Sequence, residues 1–255
     1  MSQCLEMHAL PNFPLVEPGD DLLALTLRSL DEADLSLRDG DVLVIAQKIF
    51  SKAENRYKHL HQVEAGAEAN ELALKVNKDP RLVQLILDES VEVVRHRPGA
   101  VIVEHRLGYV HANAGIDQSN ISSDTNDERV LLLPLDPDAS SLQLRKSIAQ
   151  EFSVDVAIIM NDSAGRAWRN GTQGFAIGTA GFEPVVDLVG EADLFGRTLQ
   201  ATTVAVADEL AAGASFMMGQ AAEATPVVLV RGAKLIKSES GSGDLIRPRD
   251  EDMFR

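Results

Sequence analysis

Val42-Leu43-Val44-Ile45-Ala46 follows Gly40-Asp41 and runs directly into Gln47-Lys48-Ile49-Phe50-Ser51-Lys52. Five apolar residues, three of them β-branched, are too few for an ordinary helix and predict a buried strand. Val156–Met160 and Pro226–Val230 repeat the pattern. Val91–Arg95 and Val101–Glu104 read as two further strands joined by a turn at Arg97-Pro98-Gly99, and Gly108–Ala112 as a third, paired through a hairpin at Arg106-Leu107. Helical periodicity marks Asp21–Leu30, Ala67–Val76, Pro80–Leu87 and Ser140–Phe152. The longest helical candidate is the Ala- and Leu-rich Gly196–Met218, with Gly213 as a point of breakage. Hairpins mixed with crossovers predict an α+β fold with mixed sheets and flanking helices, not a doubly wound parallel sheet.

Composition agrees with a globular chain. The 255 residues are 45% hydrophobic and 25% charged, which excludes collagen-like and low-complexity classes. Residues 1–237 read as one catalytic unit, with room for two intertwined subdomains. Residues 238–255, rich in Gly, Ser, Pro and charge, read as a loop or frayed tail. Ser122–Arg129, the most polar internal stretch, reads as a surface loop. The net charge of −15 disfavours nucleic acid as a partner, because phosphate contacts want the opposite sign. No stretch approaches the length of a spanning helix, the N-terminus has no signal-peptide pattern, and Cys4 is the single cysteine. A cytoplasmic protein without a membrane partner is the expectation.

There is no P-loop, no Gly-x-Gly-x-x-Gly unit of the Rossmann kind, no nucleophile elbow and no paired Cys-x-x-Cys. Three polar segments stand out instead. Asn113–Asn120 surrounds Asp117 with amides and a hydroxyl, a donor set that suits a hard cation and suits an Asx turn equally well. Asn161–Gly171 follows a predicted strand as a loop. It offers Asp162 and Ser163 as adjacent oxygens, with Arg166 and Arg169 as planar forks either side of Trp168, the only tryptophan. A connecting loop with a core tryptophan would use the same residues. In Gln47–Arg56, Lys48, Lys52 and Arg56 recur every four residues; on a helix they form one basic stripe, open to phosphate or merely solvated beside Glu54. The histidines lack the spacing of a helical zinc site and are assigned no metal.

Taken in order, these segments carry a resemblance. Pro11–Leu22, Gln47–Arg56, Asn113–Asn120, Leu133–Ser140, Asp162–Gly171 and Met218–Gly232 are similar to the motifs of the coenzyme F-420:L-glutamate ligase family, also called F-420-0:gamma-glutamyl ligase. The resemblance spans nearly the whole chain. It implies the gamma-glutamyl ligase type of fold and addition of L-glutamate to the deazaflavin coenzyme precursor F-420-0. It implies GTP as co-substrate, Mg2+ or Mn2+ together with K+ as ions, an acyl-phosphate intermediate and a homodimer. Carried over residue by residue, it makes Asp117, Asp162 and Ser163 metal ligands. Pro11, Asn12, Phe13, Pro14, Gln47, Lys48, Lys52, Asn120, Gly219 and Gln220 line the nucleotide site. The catalytic set is Asp117, Asp162, Arg166 and Arg169, the arginines meeting phosphate or a substrate carboxylate. Asn161 and Ala167 stand where the family commonly has Thr and Pro. That keeps open a ligase or phosphoryl transferase with another acceptor, beside a non-catalytic homologue that only binds nucleotide or deazaflavin.

Overall fold

A computed structural model describes residues 4–121 and 128–253, so most of the Ser122–Arg129 stretch lies outside the described residues. In chain order the elements are β1 (Glu6–Ala9), α1 (Leu22–Glu32), β2 (Val42–Ala46), α2 (Gln47–Ala53), β3 (Tyr57–His59), α3 (Ala67–Val76), α4 (Pro80–Asp88), β4 (Ser90–Arg97), β5 (Ala100–His105), β6 (Val110–Ala112), β7 (Arg129–Leu131), α5 (Pro137–Phe152), β8 (Ala157–Arg166), β9 (Arg169–Ala180), β10 (Val186–Asp187), β11 (Thr203–Val204), α6 (Val206–Met218) and β12 (Val227–Arg231). The fold is α+β with several sheets.

The main sheet has the order β1-β12-β2-β8-β9, with β2 and β8 parallel and every other pair antiparallel. Its central strands are covered on both sides, which is why they read as unbroken apolar runs. Leu43, Ile45, Ile158 and Met160 face α1, α2 and α5. Val42, Val44, Ile159 and Val228 face α6. A separate antiparallel sheet, β4-β5-β6, packs Val101 and Val103 onto α3 and α4 through Leu72, Val76, Leu82 and Ile86. The hairpins expected around Pro98-Gly99 and Arg106-Leu107 form that sheet.

Three expectations are corrected. The first concerns α5, which starts at Pro137 rather than Ser140. Asp136 accepts from Ala139 N (2.9 Å), and a proline in the first turn loses no helical hydrogen bond. The second concerns the long Ala-rich helix, which begins at Val206 rather than Gly196. Asp193 accepts from Phe195 N and Arg197 N, turning the chain into a ribbon where Thr203–Val204 pairs with Val186–Asp187. Leu199 therefore lies outside the helix, and Gly213 sits within it unbroken. The third concerns the stretch from Asn161, which forms no loop: its backbone continues β8 past the end of β2 and pairs with β9. Gly174 permits this, since a Cβ there would stand 2.5 Å from Ala211 O on α6.

The tail packs as well. Ser242 Oγ donates to Ile177 O (3.0 Å) and Ser242 N to the Asp138 carboxylate (3.0 Å). Ile246 joins the main core. Arg249 bridges Glu92 (2.7 Å) and Glu104 (3.2 Å) on the second sheet. No helix among the described residues is long and apolar enough to cross a membrane.

Candidate functional site

The site grows from the C-terminal end of β2, where the chain turns into α2 without a break. Lys48 and Lys52 are one turn apart on α2 and share a face. Opposite them lies the segment after β6, where Asn113 (φ 53°), Ala114 (φ 54°) and Gly115 (φ 66°) are three successive left-handed residues. For the alanine this costs roughly 1 kcal/mol. The segment is held by its surroundings. Asp117 exchanges backbone hydrogen bonds with Leu131 (both 2.9 Å), and a Cβ at Gly115 would collide with Leu133.

Asp117 is thereby fixed against α2. Gln47 Nε2 donates to its Oδ2 (2.7 Å), and Ser51 Oγ in turn holds Gln47 Oε1 (2.8 Å). Lys48 Nζ lies 3.3 Å from Asp117 Oδ1 and donates to Ser119 Oγ (3.1 Å). Lys52 Nζ donates to Asn120 O (3.0 Å), and Asn120 Nδ2 to Ala221 O (3.3 Å) in the loop after α6. Burial pushes the Asp117 carboxyl up to about 6; Lys48 and Gln47 oppose this, while the nearby Asp162 carboxylate adds to it. Burial and the neighbouring Lys48 lower the Lys52 ammonium below the ordinary lysine value.

Asp162 approaches from β8. Its carboxylate stands 3.2 Å from His111 Nε2 on β6, an ion-pair contact without the alignment of a hydrogen bond. His111 Nδ1 lies 2.9 Å from Ala112 O. Both ring nitrogens therefore face acceptors. Burial works against the imidazolium, but the Asp162 carboxylate outweighs it and raises the ring above the ordinary histidine value.

The structure gathers Gln47, Lys48, Lys52, Asp117 and Asn120, with Asp162 on the neighbouring strand. Gly219 ends α6, and Gln220 Nε2 donates to Ser215 Oγ (2.9 Å), one residue before the Ala221 carbonyl that meets Asn120. The loop that starts at Pro11, Asn12, Phe13 and Pro14 runs to the far end of α2, where Gly19 N donates to Ala53 O (2.9 Å) and Glu17 acts on Lys52. The Phe13 side chain itself is buried in the main core. Ser163 follows Asp162 on an extended strand, where successive side chains leave opposite faces. Arg166 is four residues further along β8, about 13 Å at the rise of a strand. Arg169 starts β9 beyond a two-residue turn, and Trp168 at its tip is 89% exposed rather than packed in a core. Arg56 leaves the lysine stripe because α2 ends at Ala53; its Nε donates to Leu133 O (2.8 Å), and its guanidinium faces Glu89.

His111 flanks the hairpin without the spacing of a metal site, and its partner lies on a distant strand, where local spacing does not reach.

Asp117 and Asp162 offer two carboxylates, now met by Gln47, Lys48 and His111, and among the described residues no three His, Cys, Asp or Glu side chains converge as a metal cluster. That suits Mg2+ or Mn2+, which commonly take one or two carboxylates and complete their shell with water and phosphate oxygens. It does not suit a dedicated zinc centre.

Comparison with known proteins gives a consistent result. The family described as F420-0:Gamma-glutamyl ligase matches residues 12–232. A protein of Methanothermobacter thermautotrophicus named coenzyme F420:L-glutamate ligase is 42% identical over 253 residues, covering 98% of this chain and 99% of its own. Proteins of the same name from Methanocaldococcus jannaschii (43%, 88% of each chain) and Archaeoglobus fulgidus (37%, 98% of this chain and 96% of its own) are similar across most of their length.

Proposed function

This chain belongs to the F420-0:gamma-glutamyl ligase family, and on that premise we propose that it is a GTP-dependent ligase adding L-glutamate to the deazaflavin precursor F-420-0. Family membership carries glutamate ligation in coenzyme F420 biosynthesis. The nucleotide, the ions and the intermediate are the proposal. The observation that carries it is the contact set at Asp117, where one half-buried carboxylate meets Gln47 and Lys48 beside a second carboxylate, Asp162.

Joining a carboxylate to an amine is uphill, so the acid must be activated first. The acceptor carboxylate attacks the γ-phosphorus of GTP, GDP leaves, and an acyl phosphate forms. The glutamate amine then attacks the acyl carbon, inorganic phosphate leaves, and the amine gives up a proton. Phosphoryl transfer is mostly positioning and charge neutralisation. Lys48 and Lys52 serve that purpose from one face of α2. With the Ser163 side chain leaving the opposite face of β8, Asp117 and Asp162 would hold Mg2+ or Mn2+. Bound there, the cation would neutralise phosphate oxygens. Asn120, Gly219 and Gln220 close the nucleotide side, Pro11–Pro14 border it, and K+ adds to the neutralisation. GTP and glutamate as co-substrates put the reaction in the cytoplasm.

A homodimer belongs to the same proposal. Leu194, Phe195 and Phe216 are almost fully exposed, and such side chains favour cover. α6 itself buries one face in the main sheet, so its Ala-rich composition is not the argument.

Mass spectrometry of F-420-0 incubated with the protein, GTP, L-glutamate and manganese tests the reading. A mass increase in glutamyl units supports it. An unchanged acceptor with GTP still bound would assign a binding homologue instead.

A further inference from the structure

A cavity of about 300 Å³ opens beside Asp162, between the β8–β9 hairpin, β6, the first turn of α6 and the C-terminal tail. Its floor is Ala164, two residues beyond Asp162 on the same face of β8, and Phe175, the residue paired with Asp162 on β9. Two strand residues place it about 7 Å from Asp162. Tyr109 and Ile246 give it an apolar wall.

Two charges of opposite sign line it. Asp208 projects from the first turn of α6, and its Oδ1 accepts from Ala176 N (2.8 Å). Its other oxygen takes no hydrogen bond among the described residues, and burial raises its carboxyl above the ordinary value. Ala176 pairs with Asn161, so Asp208 stands at the Asp162 end of the cavity. Arg166 stands at the far end, half-buried and without an ion pair among the described residues.

We propose that this cavity is the subsite of the incoming amino acid, with Asp208 holding its ammonium group and Arg166 one of its carboxylates. The inference rests on the ligase reading above and adds the location of one substrate. A fixed anion inside the cavity repels the carboxylate of the acceptor. It attracts the ammonium group of an amino acid. The order of charges along the cavity turns the amine toward Asp162, where the activated carboxylate would form. A planar fork at the other end matches a carboxylate in bidentate geometry.

The test compares the whole wild-type protein with Asp208→Asn and Arg166→Gln. Asparagine keeps an acceptor for Ala176 N, and Arg166 lies at a strand end, so melting temperatures should stay near wild type. Loss of a charged hydrogen bond should raise the KM for L-glutamate on the order of 10- to 100-fold. KM values for GTP and for the acceptor should stay within about twofold. In calorimetry, L-glutamate should bind the wild type and N-acetyl-L-glutamate, which lacks the ammonium, should not. A raised acceptor KM with glutamate unaffected would place the acceptor in the cavity and overturn the inference, as would equal binding of the N-acetyl compound. If the wild type ligates nothing yet binds glutamate in an Asp208-dependent way, the ligase reading falls and the subsite stands. If it ligates and both variants keep their glutamate KM, only the subsite falls.

Discussion

Two half-buried carboxylates in this molecule have opposite fates. Glu89, at the end of α4, is surrounded by Arg106 (2.9 Å), Arg56 (3.5 Å) and His105 (3.6 Å). Burial alone would raise its carboxyl, but the His105 ring and the Arg106 and Arg56 guanidinium groups outweigh burial and hold it at about 2. Asp117 is half-buried as well, yet it meets one lysine and a second carboxylate and sits at about 6. The first carboxylate is electrostatically complete and ties α4 to the second sheet. The second is left short of positive charge, which is where a cation or a phosphate-bound ion gains most. Perturbation alone does not mark a site; its sign, and whether the fold has already answered it, does.

The largest effect expected from this contrast is on turnover. Asp117→Asn and Asp162→Asn should each lower ligation ~10³-fold or more, because asparagine keeps size and one acceptor but loses the charge that holds a cation. Turnover under saturating substrates checks it, and near-normal activity in either variant would remove that residue from the ion site. Glu89→Gln should behave in the opposite way. Breaking its cluster should cost about 3 kcal/mol of stability, measured by urea unfolding, while turnover per folded molecule stays near wild type.

The pH dependence of the two should also differ in sign. The folded Glu89 value lies below its unfolded one, so its stabilisation is present above about pH 4.5 and is lost as pH falls toward about 2. The folded Asp117 value lies above its unfolded one, so the folded chain binds the extra proton between about pH 4 and about pH 6. Stability therefore falls as pH rises through that window. Asp117→Asn should consequently raise the stability of the metal-free protein at pH 7, by on the order of 2 kcal/mol, and the gain should vanish below about pH 4. Unfolding at both pH values measures this; a destabilised variant at pH 7 would contradict it. The smallest effect concerns the stripe on α2. Lys52→Gln should weaken GTP about tenfold, roughly 1.4 kcal/mol, with the fold unchanged. Equal GTP affinity would take Lys52 out of the nucleotide site.

Elements buried on both faces were legible. Val42–Ala46 and Val156–Met160 are unbroken apolar runs because the main sheet hides both their sides. β9 was not legible: its first half, Arg169–Gly174, is polar and glycine-rich, and it is a strand only because β8 supplies the hydrogen bonds. The helix expected from Gly196 failed for a related reason. Composition favours helix only from about Ala205, since Thr198, Thr202, Thr203 and Val204 are β-branched, and Asp193 and the β10–β11 pairing claim the backbone before Val206.

For the site, the residues themselves determined its chemical inventory: Asp117, Asp162, the lysines at four-residue spacing, and the motif order that carries the family resemblance. Spacing along one helix is a local property, so Lys48 and Lys52 could be placed together from the chain alone. Tertiary structure decided what local spacing cannot encode. It removed Arg56 from the stripe and set it on Glu89, and brought His111 to Asp162 across two sheets. It carried Arg166 about 13 Å down a strand to the far end of the cavity that Asp208 lines, away from the Asp117 pocket. Contacts between residues far apart in sequence depend on how sheets and helices pack, and no periodicity in the chain records them.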